Sequence, residues 1–442
     1  AAGVRVLALP QANPTPLTSF SMLHFDADAG VMVTASHNPA PDNGYKVYLG
    51  GTVAQGDGRG VQIVPPFDAE IAAAIEAAPP ADEVPMNDDL IEAVDPREEY
   101  VACASALASG EASAREDLRI VLTAMHGVGA AITSRVLAEA GFSNVSLVAA
   151  QADPDPDFPT VPFPNPEEAG ALDMAIEQAR EQGADLIIAV DPDADRCALA
   201  VLDPASETGW SPLSGDQIGS LLGEFLAARG ITGSLANSIV SSRLLSRIAR
   251  AHGLEHHTTL TGFKWIARAP GLGFGYEEAI GFCPDPAHVR DKDGIATSVV
   301  AASLVAALKA QGRSVWDELE RLARLHGLHV SSPLTFRVEE IEQIANGMAR
   351  LRAQPPSVLA GSPVVEVSDL SQGYRGLPPT DGVLVLTEAG DRVIARPSGT
   401  EPKLKCYLEV ILPVTEGEPL PWDQARERLD AIKGAFAEII GL

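Results

Sequence analysis

Cations are scarce in this chain of 442 residues: 32 Lys and Arg stand against 60 Asp and Glu, for a formal net charge of −28. Such a surplus repels nucleic acid and anionic membrane wherever it is spread over the surface, so neither is expected as a partner. An anionic substrate would need a cleft in which Lys, Arg and backbone N–H groups are gathered in compact clusters. Cysteine is scarce too. Cys103, Cys197, Cys283 and Cys406 lie far apart, with no C-x-x-C pair and no zinc-like spacing, which leaves reduced thiols. No apolar run approaches the roughly 20 residues of a membrane span, and Ala1 onward lacks the basic-then-apolar pattern of a signal peptide. A cytoplasmic location is the expectation.

What is there suits burial. With 46% apolar residues and no long hydrophilic tract, the chain should fold into three or four domains. Short β-rich runs (Val31–Val33, Arg119–Thr123, Leu186–Val190, Val383–Thr387) alternate with helical spacings (Ala169–Gln182, Gln217–Arg229, Ser241–His252, Ile295–Gln311, Trp422–Ile440), the pattern of α/β domains. Composition shifts predict boundaries at 1–110, 111–214, 215–328 and 329–442. The segment Asp153–Pro166, rich in Pro and Asp, reads as a long loop.

Four constellations carry chemistry. In the first, an apolar strand runs into Thr34-Ala35-Ser36-His37-Asn38-Pro39, and after the turn Asp42-Asn43-Gly44 a second strand returns Lys46. Hydroxyl, imidazole and cation are brought together there. No G-x-S-x-G elbow surrounds Ser36, which argues against a Ser-His-Asp hydrolase. In the second, the strand Leu186–Val190 leads into Asp191-Pro192-Asp193-Ala194-Asp195-Arg196. Carboxylates at alternate positions beyond a strand can converge on one hard cation, and oxygen ligands suit Mg²⁺. An EF-hand is excluded, because Arg196 stands where the turn glycine belongs and Leu202 where the bidentate Glu belongs.

The third constellation is Gly273-Phe274-Gly275-Tyr276-Glu277-Glu278-Ala279-Ile280-Gly281, followed by His288-Val289-Arg290-Asp291-Lys292-Asp293-Gly294. Its carboxylates can accept from sugar hydroxyls and its cations can meet phosphate. The fourth, Ala395-Arg396-Pro397-Ser398-Gly399-Thr400-Glu401-Pro402-Lys403-Leu404-Lys405, joins a guanidinium fork to hydroxyls and glycine-exposed N–H groups, the makings of an anion nest. It is not a nucleotide P-loop.

In order and separation these four runs, with Ser214-Gly215-Asp216 and Thr261-Gly262-Phe263-Lys264, resemble the α-D-phosphohexomutases, which include phosphoglucomutases and phosphomannomutases. The resemblance covers Val31 to Lys405. It implies three mixed-sheet α/β domains and a smaller α+β C-terminal domain around a central cleft. Ser36 would be the phosphorylated residue, and Asp191, Asp193 and Asp195 would hold Mg²⁺ together with a phosphate oxygen on Ser36. Arg196 would steady the transferring phosphoryl group, and His37 and Lys46 would handle protons. Thr261, Gly262, Glu277 and Lys292 would contact the sugar phosphate, while Arg396, Ser398, Gly399 and Thr400 would grip the phosphate not being transferred. The implied reaction interconverts glucose 1-phosphate and glucose 6-phosphate through a bisphosphate, which would also serve as activator, with mannose or pentose phosphates as alternatives. A mobile fourth domain is expected to close over the intermediate.

Two departures qualify the resemblance. Ala279 stands where the family commonly has serine, and the surrounding run is most similar to the phosphopentomutase-like and bacterial phosphoglucomutase-like branch. Nothing before Ser36 matches the family's G-T-x-G-x-R run, and the sequence begins without Met, so the first part of domain one is expected to be missing. Two other readings compete. A haloacid-dehalogenase-like phosphatase would make Asp191 the nucleophile, but leaves Ser36 idle and has Ser220 where a carboxylate is wanted. A phosphosugar-binding regulator without catalysis would have no need of Ser36 and the three aspartates.

Overall fold

The computed structural model describes residues 3–85, 87–398 and 402–441. The chain divides into two compact units, one of residues 1–236 and 262–315, the other of 237–261 and 316–442.

The first unit is built round a five-stranded sheet in the order Trp210–Pro212, Cys197–Leu202, Leu186–Val190, Arg119–Thr123, Asn144–Leu147. Arg119–Thr123 pairs in parallel with Asn144–Leu147 and with Leu186–Val190, and Cys197–Leu202 returns antiparallel. Every residue of Leu186–Val190 is buried, which is why its sequence is continuously apolar rather than alternating. The helix Gly294–Ala310 is also buried round most of its circumference. No single helix among the described residues is long and apolar enough to cross a membrane. Earlier in the chain, Ala29–Val33, Tyr45–Leu49 and Val61–Gln62 form a three-stranded antiparallel sheet, and Val6–Ala8 pairs in parallel with Ile91–Ala93.

The second unit contains a six-stranded sheet in the order Leu328–Arg337, Lys403–Leu412, Arg392–Pro397, Val383–Thr387, Ser362–Asp369, Val358–Leu359, antiparallel throughout. The helices Ile341–Ala353 and Trp422–Ile440 cover one face, burying Ile344, Met348, Leu429, Ile432 and Phe436 against it.

Two helices start later than their apolar spacing predicts. The first begins at Asp173 rather than Ala169, because Gly170 turns the chain at φ 83°. The second begins at Leu244 rather than Ser241, because Ser241 N–H donates to the Ser238 carbonyl in a turn at 3.1 Å and Ser242 Oγ is committed to Glu409 at 2.8 Å.

Candidate active site

Beyond Val190 the chain leaves the sheet, passes through Asp191 to Arg196 and returns as Cys197–Leu202. Ala194, left-handed at φ 55°, makes the reversal. Its N–H donates to the Asp191 carbonyl at 2.8 Å, and Arg196 N–H donates to Asp191 Oδ1 at 2.9 Å. Asp191, Asp193 and Asp195 are all buried, and one carboxylate oxygen from each lies within 4.8 Å of the others. The helix Gly294–Ala310 begins against this loop, with Gly294 N–H donating to the Ala194 carbonyl at 3.2 Å. A Cβ at Gly294 would lie 2.2 Å from the Arg196 carbonyl oxygen, so glycine is what lets the positive helix end approach three carboxylates.

Side chains from distant segments close on the loop. Lys46 Nζ, from the strand Tyr45–Leu49, donates to Asp193 Oδ2 at 2.7 Å and also reaches Asp195. Lys292 Nζ sits 3.1 Å from Asp195 Oδ2. Thr15 Oγ1, at the start of the helix Thr15–His24, donates to Asp193 Oδ2 at 2.6 Å. Arg196 lies 3.8 Å from both Asp191 and Glu167. These surroundings drive the carboxyls apart. Burial, then the charges of Asp193 and Asp195, push Asp191 far up. For Asp195 burial acts in the same direction, but Lys292, Lys46 and Arg196 outweigh it and hold the group well below the usual carboxylate range. Burial likewise opposes the charge on Lys46, and Asp195 and Asp193 more than restore it.

Asp191 Oδ2, Asp193 Oδ1 and Asp195 Oδ1 are buried and accept no hydrogen bond from the described residues. Three buried acceptors without donors are costly unless a cation completes them, and an all-oxygen donor set suits a hard divalent ion. The residues present therefore fit a metal.

Ser36 lies between the strands Ala29–Val33 and Tyr45–Leu49, which pair with Met32 opposite Lys46. Its φ of 55° is left-handed, a conformation that costs a non-glycine residue on the order of 1 kcal/mol and persists where the surroundings impose it. Ser36 N–H donates to Thr34 Oγ1 at 2.9 Å, and Ser36 Oγ is 3.1 Å from His37 Nδ1. Burial, and then the charge of Arg196, lower His37 to about 3, so its ring is neutral. Ser36, Pro192 and Asp193 line one cavity of about 1040 Å³.

Glu277 closes the strand Leu272–Glu277 and is buried. The chain then turns through Ile280, at φ 52°, into Gly281–Cys283. Arg196 and Gly281 form a β-bridge, and Cys197 N–H donates to the Ile280 carbonyl at 3.1 Å, so the aspartate loop and the Glu277 hairpin share backbone hydrogen bonds.

The remaining candidates belong to other segments of the chain. Thr261 is the last residue of its segment in the second unit. Gly262, at φ 106°, precedes the short helix Phe263–Ile266, and its carbonyl accepts from Trp265 N–H at 2.9 Å. Arg396 stands opposite Lys405 in the second unit's sheet, and Ser398 N–H donates to the Lys403 carbonyl at 2.8 Å. Gly399 and Thr400 lie outside the described residues. Thr15, Tyr48, Glu167 and Asp291 take part in the site's contacts without being candidates from sequence. Tyr48 has a signal, since it shares a strand face with Lys46 two positions away. Thr15 has none, because 178 positions separate it from Asp193.

Comparison with known proteins supplies the context. Phosphoglucomutase/phosphomannomutase family models match domain I over residues 1–81, domain II over 98–204, domain III over 214–325 and the C-terminal domain over 336–411. The chain is 45% identical over 416 residues to a Haemophilus influenzae protein named "Probable phosphomannomutase", covering 92% of this chain and 82% of that one. It is 32% identical over 482 residues to the phosphopentomutase of Mus musculus, covering 99% and 75%. Identity to the phosphoglucomutase of Staphylococcus haemolyticus is 34% over 439 residues, covering 92% and 78%. The solved structure of a phosphoglucomutase/phosphomannomutase family protein from Burkholderia thailandensis shares the fold, with a TM-score of 0.71 at 19% identity over 99% of this chain and 84% of that one.

Proposed function

The chain belongs to the phosphoglucomutase/phosphomannomutase family and is a phosphosugar mutase, and from that premise we propose that it isomerises aldohexose phosphates, glucose 1-phosphate and glucose 6-phosphate first, with Ser36 as phosphate carrier. One observation carries this reading. Ser36, its hydroxyl beside a neutral imidazole, lines the same cavity as Asp193 of a triad whose three free oxygens have no donor among the described residues.

The three aspartates, with a phosphate oxygen on Ser36, would hold Mg²⁺, which when bound would neutralise charge on the transferring group. Phosphate leaves Ser36 Oγ for the free hydroxyl of a sugar monophosphate, so that one O–P bond forms as the other breaks. The hydroxyl's proton passes through His37 to Ser36 Oγ, leaving a sugar bisphosphate. After the bisphosphate turns round, Ser36 Oγ attacks the other phosphate and its proton returns through His37 to the departing sugar oxygen. Lys46, expected from sequence to share the proton handling with His37, is kept charged against burial by Asp195 and Asp193 and so contributes charge instead, as does Arg196; most of the catalysis is positioning and electrostatics. Glu277 would accept from sugar hydroxyls, with Thr261, Gly262 and Lys292 as further contacts. Arg396 and Ser398, with Gly399 and Thr400, are assigned the phosphate that is not transferred. A sugar bisphosphate would activate the enzyme by recharging Ser36.

Pentose phosphates form a second reading. The relative named phosphopentomutase is matched over 99% of this chain, and Ala279 removes a hydroxyl from the Glu277 hairpin.

Incubation with glucose 1,6-bisphosphate followed by intact-mass measurement and peptide mapping tests the carrier. Phosphate on Ser36, absent from Ser36→Ala, is expected; phosphate on Asp191 instead would overturn the assignment. Rates on glucose, mannose, ribose and deoxyribose 1-phosphates then rank the substrates.

A further inference from the structure

We propose that Asp291 is a positioning residue that sets where Lys46 and Lys292 meet Asp195, and through them the charge presented to the transferring phosphate. The proposal rests on the Ser36 reading above. Lys46 and Lys292 arrive at one carboxylate from segments almost 250 positions apart, and Asp291 is where those segments are tied. Its carboxylate is buried. Oδ2 accepts from Tyr48 Oη at 2.6 Å and from Gln62 Nε2 at 2.6 Å, so it grips two neighbouring strands of the small sheet. Oδ1 accepts from Lys292 N–H at 2.8 Å and lies 3.8 Å from Lys292 Nζ.

Tyr48 follows Lys46 by two positions in one strand, so both side chains leave the same face. Fixing the Tyr48 hydroxyl therefore fixes the strand that carries Lys46. On the other side, the Lys292 stem runs over Gly281, where a Cβ would come within 2.2 Å of Lys292 Cδ, and its ammonium lies 5.6 Å from the Phe263 ring centroid. Lys292 is thus guided along its length, and Asp291 holds its root. Asp291, Tyr48 and Gln62 act through Lys46 and Lys292. Their effect is geometric, and small displacements near a phosphoryl-transfer site are costly.

The test compares Asp291→Asn, Tyr48→Phe and the double variant with wild type, using glucose 1,6-bisphosphate as phosphate donor. Tyr48→Phe removes one hydroxyl and keeps the ring, so it remains informative if Asp291→Asn folds poorly. Each single variant is expected to lower kcat roughly tenfold or more with KM within about twofold, while Ser36 still takes phosphate on prolonged incubation. The double variant should be no slower than Asp291→Asn. Unchanged kcat in Tyr48→Phe, or losses that multiply in the double variant, overturns the proposal. Failure of wild type to take phosphate on Ser36 would instead sink the carrier reading, which separates the two.

Discussion

Two buried carboxylate centres, one in each unit, show how differently a fold can treat negative charge. In the second unit Glu409 stands alone among donors. Oε1 accepts from Ser242 Oγ and Arg243 N–H, each at 2.8 Å, and lies 3.2 Å from His329 Nδ1. Oε2 accepts from Arg243 Nε at 2.6 Å, with Arg392 at 3.3 Å. In the first unit three carboxylates crowd one loop, and each keeps an oxygen without a donor among the described residues. A buried charge with every lone pair answered is part of the architecture. Like charges held together with lone pairs to spare form a donor set that fits a hard cation.

The largest effect should come from treating the first centre as though it were the second. Asp191→Asn keeps the acceptor for Arg196 N–H but removes the carboxyl whose ionisation burial and the charges of Asp193 and Asp195 oppose. It should cut turnover at least roughly hundredfold while the melting temperature holds or rises. Added magnesium should raise the melting temperature of wild type and not of this variant; an equal rise in both would remove the metal from the triad.

Glu409→Gln should do the reverse. It leaves the buried Arg392 and the half-buried Arg243 without their counter-charge, and about 3–5 kcal/mol of unfolding free energy should be lost in denaturant titrations. A loss under about 1 kcal/mol would mean that the two centres are not different in kind.

The pH dependence sharpens this further. Burial would raise the Glu409 carboxyl, but Arg392, the His329 hydrogen bond and Arg243 outweigh it and hold the group well below its ordinary 4.5. A depressed carboxyl adds stability that is fully present above 4.5 and is lost as pH falls through the lower folded value. Wild type and Glu409→Gln should therefore differ most near neutrality and converge in acid, and a gap that widened on acidification would contradict the assigned partners.

Gly281→Ala is the mildest change. The added methyl meets the buried stem of Lys292 and Glu277 Cγ, so stability should fall by about 1–3 kcal/mol while kcat drops roughly tenfold as Lys292 is displaced. Unchanged kcat would show that Lys292 has other room.

Legibility in sequence followed the range of the forces involved. Arg119–Thr123, Leu186–Val190, Val383–Thr387 and Trp422–Ile440 can be read to the residue, because burial of one face or both writes a period into the chain. The helix starts at Asp173 and Leu244 cannot, because a turn glycine and a serine committed to a distant glutamate override the spacing. In the site, neighbours along the chain could be read as groups: Ser36 with His37, and the three alternating aspartates. Lys46 drew notice beside Ser36, but its bond to Asp193 spans 147 positions and nothing near either residue announces it.

By itself, then, the sequence determined which segments become strands and helices, and that three aspartates and a serine beside a histidine would stand at strand ends, since these depend on residues a few positions apart. Only the tertiary structure decided which cations answer Asp195, which oxygens stay unanswered, and that Asp291 ties the strand of Lys46 to the root of Lys292. Those outcomes depend on which segments pack together, and packing is settled by apolar surfaces that carry no record of the polar groups they bring into contact.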